Sequence, residues 1–223
     1  PPDFAILLVV PIHRILLVAF PSAGRITYDS IRRVNLRAGQ NAVTHWKVPT
    51  LEEVLILCKD KIVVNIDKGF QYYGLIHPLL EKYGMLEQVL IKSNVTADRA
   101  AATFSKYDDN CLFMPIVNFG KKSYRKILES YERLKYPLLA YEICWSEYTP
   151  EVETCMREVI AGGSKLWVNS LWPSLNGGLC DDAAVEGDPA EVYGKLVDMG
   201  ATMIQTDRPE LLISYLRARG LHD

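Results

Sequence analysis

The sequence predicts an α/β fold: a TIM-type (β/α) barrel, incomplete at its N-terminal strands. Three observations carry this. From residue 61 onward, short apolar runs alternate with segments of helical periodicity. The runs are apolar on both faces, as in a parallel sheet covered by helices. No G-x-G-x-x-G and no phosphate-binding P-loop occurs, whereas an open doubly wound sheet would usually carry a glycine-rich turn after its first strand.

Taken in order, the chain begins with "FAILLVVPIHRILLVAF" (4–20), which Pro11, His13 and Arg14 split into two apolar runs. Each run is too short to span a bilayer. No basic residue precedes the segment and no small-residue cleavage site is evident. It reads as a buried strand or strand pair, as a stretch not native to the fold, or as a degenerate targeting segment. Strands are then predicted over 61–66, 88–93, 111–117, 137–143, 165–170 and 201–206. Between them lie "YGLIHPLLEKYG", "ADRAAATFSKY", "SYRKILESYERL", "TPEVETCMREVIAGG" and "PAEVYGKLVDMG", each with apolar residues at helical spacing. Thr149-Pro150 is an N-cap followed by proline at the first helical position. Gly84, Gly162 and Gly200 stand where helices end. Asp207, before Arg208-Pro209, reads as the N-cap of the closing helix "PELLISYLRARG".

Composition limits the partners. The 223 residues are 49% hydrophobic and 23% charged, enough to bury a sizeable core, with net charge −2. Nucleic acid and anionic membranes reward a basic surface, so neither is expected as the main partner. The five cysteines are odd in number and form no C-x-x-C pair, which leaves zinc, redox and disulfide frameworks unsupported. Cys58, Cys111 and Cys144 lie in apolar runs and read as buried thiols. His45 and His77 have no metal-ligand spacing.

In a barrel, functional residues come from the carboxyl ends of the strands. Asn65, Asp67 and Lys68 end the first clear strand, Lys92 and Ser93 the second, Asn118 the third. Glu142 comes late in the fourth, inside the apolar "LLAYEICW", where a carboxylate needs a partner. Trp167, Asn169 and Trp172 belong to the fifth, and Gln205, Thr206 and Asp207 to the last. Carboxylates, lysines and amides together suit an oxyanion held beside a divalent cation. The polar stretch "NGGLCDDAAVEGD" would form a long loop on the same face, with Asp181 and Asp182 solvated.

Several stretches resemble the glycerophosphodiester phosphodiesterases. "VPTLEEVL" followed shortly by "VVNIDKG" resembles that family's Pro-Thr-Leu-x-Glu helix and the strand after it, which ends in an acidic metal ligand. "LWVNS" is similar to its Trp-x-Asn strand, and "GATMIQTDRPELL" to its closing Gly-x-Asp-x-Ile-x-Thr-Asp-x-Pro. "GRITYDSIRRVNL" (24–36) resembles the insertion after the second catalytic histidine. The "NSLWPSLNGG" loop and Asp67 in place of glutamate look like a bacterial subgroup. The resemblance divides the chain into an atypical apolar N-terminal segment (1–23) and a barrel domain (24–223).

The resemblance implies a hydrolase of lipid metabolism that cleaves small phosphodiesters such as glycerophosphocholine with a divalent cation, magnesium or calcium, and two histidines as acid and base. Asp67 takes the metal-ligand place, and Lys92, Glu142, Asn169 and Trp172 lie where substrate contacts come from. The family's opening motifs, His-Arg-Gly, Glu-Asn, Glu-x-Asp and His-Asp, are missing or replaced. His13-Arg14-Ile15 is the one partial match, so His13 is the candidate catalytic histidine and no other is assigned. The chain thus looks like the C-terminal part of such an enzyme with a truncated or replaced start. Two other functions stay open: a non-catalytic barrel that binds a phosphorylated ligand, and an unrelated barrel enzyme using Asp67 and Glu142 as an acid/base pair. Headgroup, oligomeric state and compartment (cytoplasmic, periplasmic or secreted) are not assigned.

Overall fold

A computed structural model describes residues 8–10, 27–37, 42–107, 111–134 and 138–223. Its main sheet has seven strands, all parallel to their neighbours: β1 (Leu8–Val10), β4 (Val64–Ile66), β5 (Val89–Ser93), β6 (Leu112–Asn118), β7 (Ala140–Cys144), β8 (Lys165–Asn169) and β9 (Ala201–Gln205). The six predicted strands are all present as parallel neighbours. Spatial order from β4 to β9 equals chain order, the arrangement of a barrel wall rather than a doubly wound sheet. Among the described residues β9 and β1 do not meet, so the wall is open. Leu8–Val10, in the first apolar run, pairs with Val64–Ile66.

Between β1 and β4 stand α1 (Tyr28–Arg33), an antiparallel hairpin of β2 (Asn35–Arg37) and β3 (Val43–Lys47), and α2 (Leu51–Cys58). Thr50 opens α2 with a capping box: its hydroxyl accepts from Glu53 N–H, while the Glu53 carboxylate accepts from Thr50 N–H. Arg32 of α1 grips the same carboxylate with two guanidinium nitrogens, at 2.9 and 3.0 Å, and so ties the insertion to the barrel.

The remaining connections are helical: α3 (Tyr73–Tyr83), α4 (Ala97–Phe104), α5 (Tyr124–Glu132), α6 (Pro150–Ala161), α7 (Asp181–Glu186), α8 (Lys195–Asp198) and α9 (Pro209–Ala218). Thr149 caps α6 as its sequence predicts. Gly84 and Gly200 adopt the left-handed backbone that ends a helix, whereas after α6 that role passes from Gly162 to Gly163. Residues 190–194 form a widened π turn running directly into α8. Arg208, not Asp207, stands at the N-cap of α9. None of the described helices is long and apolar enough to cross a membrane.

Side-chain alternation sorts the strands into two faces. Leu90, Met114, Ala140, Trp167 and Met203 point inward and pack on one another. Val89 and Ile91 face α2, α3 and α4, and Val117, Ile143, Leu166 and Val168 face α5 and α6. Registers connect the inward set: Lys92 lies beside Met114, Ile116 beside Glu142, Glu142 beside Trp167, and Asn169 beside Gln205. Lys92, Asn169 and Gln205 are therefore the inward residues nearest the carboxyl ends of their strands, and Glu142 lies one inward position before Cys144 at the end of β7.

The outer layer sets how stability responds to alkali. Burial pushes the Cys155 thiol and the Tyr141 hydroxyl each up to about 12. Both groups are neutral when protonated, and their ordinary values are 9.0 and 10.0. A raised folded value contributes stability that is complete below the unfolded value and is lost as pH rises through the folded one. The thermal unfolding midpoint is expected to lose nothing to these groups up to about pH 9 and to fall between about pH 9 and pH 12. A midpoint unchanged at pH 11 would contradict this packing.

Candidate functional site at the barrel mouth

The mouth is organised by one buried ion pair. Lys92 and Glu142 are 4% and 3% exposed, and Lys92 Nζ lies 2.9 Å from Glu142 Oε2. The contact is out of line for a directed hydrogen bond, so it is an ion contact first. Lys92 Nζ also donates to Gln205 Oε1 at 3.0 Å and sits 5.1 Å from the centre of the Trp167 ring. Glu142 Oε1 receives two weaker contacts, from Asn169 Nδ2 at 3.5 Å and Cys144 Sγ at 3.8 Å. Burial, then the adjacent Glu142 charge, push the Cys144 thiol well above its ordinary range, so it stays protonated beside the carboxylate.

Asn65 projects inward beside Leu90, one residue pair below Lys92 on the neighbouring strand. It is fully buried, and neither of its amide atoms has a partner. The inward-facing Trp167 also leaves its indole N–H unpaired. Unmatched polar atoms inside a barrel are costly and belong more to a site than to a core.

The structure brings Lys92, Glu142 and Asn169 together. Asp67 stays outside their hydrogen-bonded group, half-buried on the rim. Strand β4 ends at Ile66, and the chain turns away through Lys68, whose backbone is left-handed (φ 58°, ψ 15°). Trp172 is 45% exposed on the rim after β8. His13 lies outside the described residues.

Sequence reasoning misplaced Asp181. It is 3% exposed, not solvated. Its carboxylate accepts from Ser170 Oγ (2.7 Å), Tyr193 hydroxyl (3.0 Å), Thr206 Oγ1 (2.8 Å) and Asp207 N–H (2.7 Å). These partners follow β8, precede α8 and follow β9, so one side chain fastens two strand ends to α7. Ser170 N–H and hydroxyl both reach Gln205 carbonyl, and Asn176 Nδ2 reaches Asn169 carbonyl at 2.7 Å. Asp182, by contrast, is exposed as expected.

Gly177 closes this loop on the Trp145 ring, with φ 62°. A Cβ there would lie 2.9 Å from Trp145 Nε1 and 3.1 Å from Cδ1. Trp145 is fully buried and cannot swing aside. Gly177→Ala is expected to cost about 1–3 kcal/mol, read as a lower denaturant midpoint with unchanged slope.

Comparison with known proteins places the fold. The family model DUF4996, a domain of unknown function, matches residues 113–216, short of half the chain. No curated protein matches the sequence. A solved glycerophosphoryl diester phosphodiesterase from Parabacteroides distasonis superposes with TM-score 0.68 at 20% identity, over 86% of this chain and 64% of that one. A glycerophosphodiester phosphodiesterase from the same organism superposes with TM-score 0.56 at 18% identity, over 87% and 72%. The chain thus spans less than two thirds of the first of these structures. In fold, the chain is similar to the barrel of these glycerophosphodiester phosphodiesterases, with an open wall among its described residues.

Proposed function

We propose that this chain binds a small glycerophosphodiester in the barrel mouth, with Lys92 meeting the phosphate. The observation that carries this is the position of Lys92: buried, pinned by Glu142, Gln205 and Trp167, at the strand ends where barrels hold their ligands. A lysine ammonium has three donors. Gln205 takes one, and Glu142 holds the charge without a directed hydrogen bond, which leaves a donor for a ligand oxygen. Asn169 and the unpartnered Asn65 amide supply further polar contacts, and the exposed ring of Trp172 is suited to the glycerol or headgroup. The fold likeness and the motifs around Asp67, Asn169 and Asp207 support the phosphodiester class.

Hydrolysis is a second reading, and the fold likeness favours it. It calls for a cation on several carboxylates and a histidine to move protons. Among the described residues no three His, Cys, Asp or Glu side chains group to hold a metal. Glu142 is held by Lys92, and its hydrogen-bond contacts are with Asn169 and Cys144 rather than Asp67. These residues do not fit magnesium or calcium, which want about six or more oxygen ligands. A reading of Asp67 and Glu142 as an acid/base pair would require Glu142 to act while paired with Lys92.

The test is calorimetric binding of glycerophosphocholine to the chain, beside a hydrolysis assay with magnesium or calcium. Binding is expected, and it should weaken more than about tenfold in the volume-matched variant Lys92→Met/Glu142→Leu. Turnover is expected near background, since a missing acid/base alone removes about 10²–10⁴-fold. Binding that ignores the double variant would refute the role of Lys92. Robust chelator-sensitive turnover, abolished by Asp67→Ala, would establish hydrolysis instead.

A further inference from the structure

We infer that Glu142 makes the mouth selective for singly charged phosphodiesters over doubly charged phosphomonoesters. This rests on the reading that a phosphate meets Lys92. A lone lysine in a buried site would attract a dianion at least as well as a monoanion. Here the lysine is not alone. Glu142 Oε2 lies 2.9 Å from Nζ, and both side chains are almost wholly withdrawn from water.

The pair therefore enters any complex with its charges already cancelled. A phosphodiester leaves the buried cluster with one net negative charge, a phosphomonoester with two. In a poorly screened interior each added charge costs steeply, and the second also repels the Glu142 carboxylate directly. The surroundings do not offset this. Cys144, the titratable group touching Glu142, stays protonated, and the Gln205, Asn169 and Trp167 contacts are neutral. Asp67 on the rim adds negative charge. Lys68, Lys121 and Arg208 on the neighbouring loops are exposed, where solvent and salt weaken them. Glu142 thus acts as a specificity-determining residue: it leaves Lys92 able to meet one phosphate charge and penalises the next. If the site also cleaves diesters, the same charge would help expel the monoester product.

The experiment compares glycerol 3-phosphate with its methyl ester, a pair differing by one methyl group and one ionisable oxygen. At pH 8 the wild-type chain should bind the diester at least about tenfold more tightly. The monoester's second ionisation lies near pH 6. At pH 5 the gap should shrink to about threefold or less as the monoester becomes a monoanion. In Glu142→Gln, which keeps the shape and removes the charge, the gap at pH 8 should close. If that variant does not fold, the wild-type pH series decides alone. Equal affinities at pH 8, or a gap that ignores pH, would overturn the inference while leaving phosphate binding standing. Failure of both ligands to bind would overturn the binding reading and the inference with it.

Discussion

Lys92→Met is expected to destabilise the chain by about 3–5 kcal/mol, even though methionine fits an apolar strand better than lysine does. The substitution leaves Glu142 charged, 3% exposed, and without its cation. Removing one member of a buried pair costs that much because the partner's desolvation is no longer offset. Gln205 loses a donor as well, and Trp167 loses its cation. The double variant Lys92→Met/Glu142→Leu should return most of the loss, since a buried pair replaced by apolar groups of similar volume is often neutral or better. Urea titration of the two variants and of Glu142→Leu closes the cycle. A single variant as stable as wild type would mean that the mouth is wetter than its geometry indicates.

Asp181→Ala is expected to cost a similar amount, about 3–5 kcal/mol. Tyr193 and Thr206 each lose the acceptor of a hydroxyl, Ser170 falls back on Gln205 carbonyl, and Asp207 loses the acceptor of a backbone N–H. Hydrogen bonds to a charged group are worth about 1.5–3 kcal/mol each, but water can reach Thr206 and Asp207 and recover part of the loss. Asp181→Asn should fall between the two. Its amide keeps one acceptor oxygen but turns a donor toward groups that are themselves donors. A denaturant midpoint unmoved in Asp181→Ala would show that the four contacts are not made in solution.

The two residues differ in how legible they are in the sequence. Lys92 and Glu142 announce themselves because each breaks an apolar strand, and a charge in such a run needs both a partner and a reason. The alternation of strand and helix then puts them at one end of one wall. Asp181 sits in a polar stretch with Asp182, where two acids read as solvated. Its partners are 11, 12, 25 and 26 residues away in the chain, so no local pattern brings them together. Asp67 is the converse case. Its position after an apolar strand suggests the cluster, yet the hydrogen bonds of the cluster run among Lys92, Glu142, Asn169 and Gln205, and the end of β4 at Ile66 is not foretold by composition. The barrel order from β4 to β9 was legible throughout, because each unit carries its own periodicity and several carry a cap, as at Gly84, Thr149 and Gly200. The pairing of β1 with β4 was not, since an entire helix–hairpin–helix insertion lies between them.

The fastening around Asp181 also bears on how the protein fluctuates. Loops on a barrel usually open by themselves, at little free-energy cost, and their amides exchange with solvent quickly. Here the amides of Ser170, Asp181 and Asp207 are bonded to Gln205 carbonyl, Ser170 carbonyl and Asp181 Oδ2. Freeing them requires β8, β9 and α7 to part company. The segment therefore belongs to the same cooperative unit as the strands it joins. In deuterium exchange these three amides should be slow, with protection close to that of the strand interiors, while the exposed hairpin of β2 and β3 exchanges first. A ligand entering the mouth on the β8–β9 side would then meet a wall already set in place, rather than one it must order.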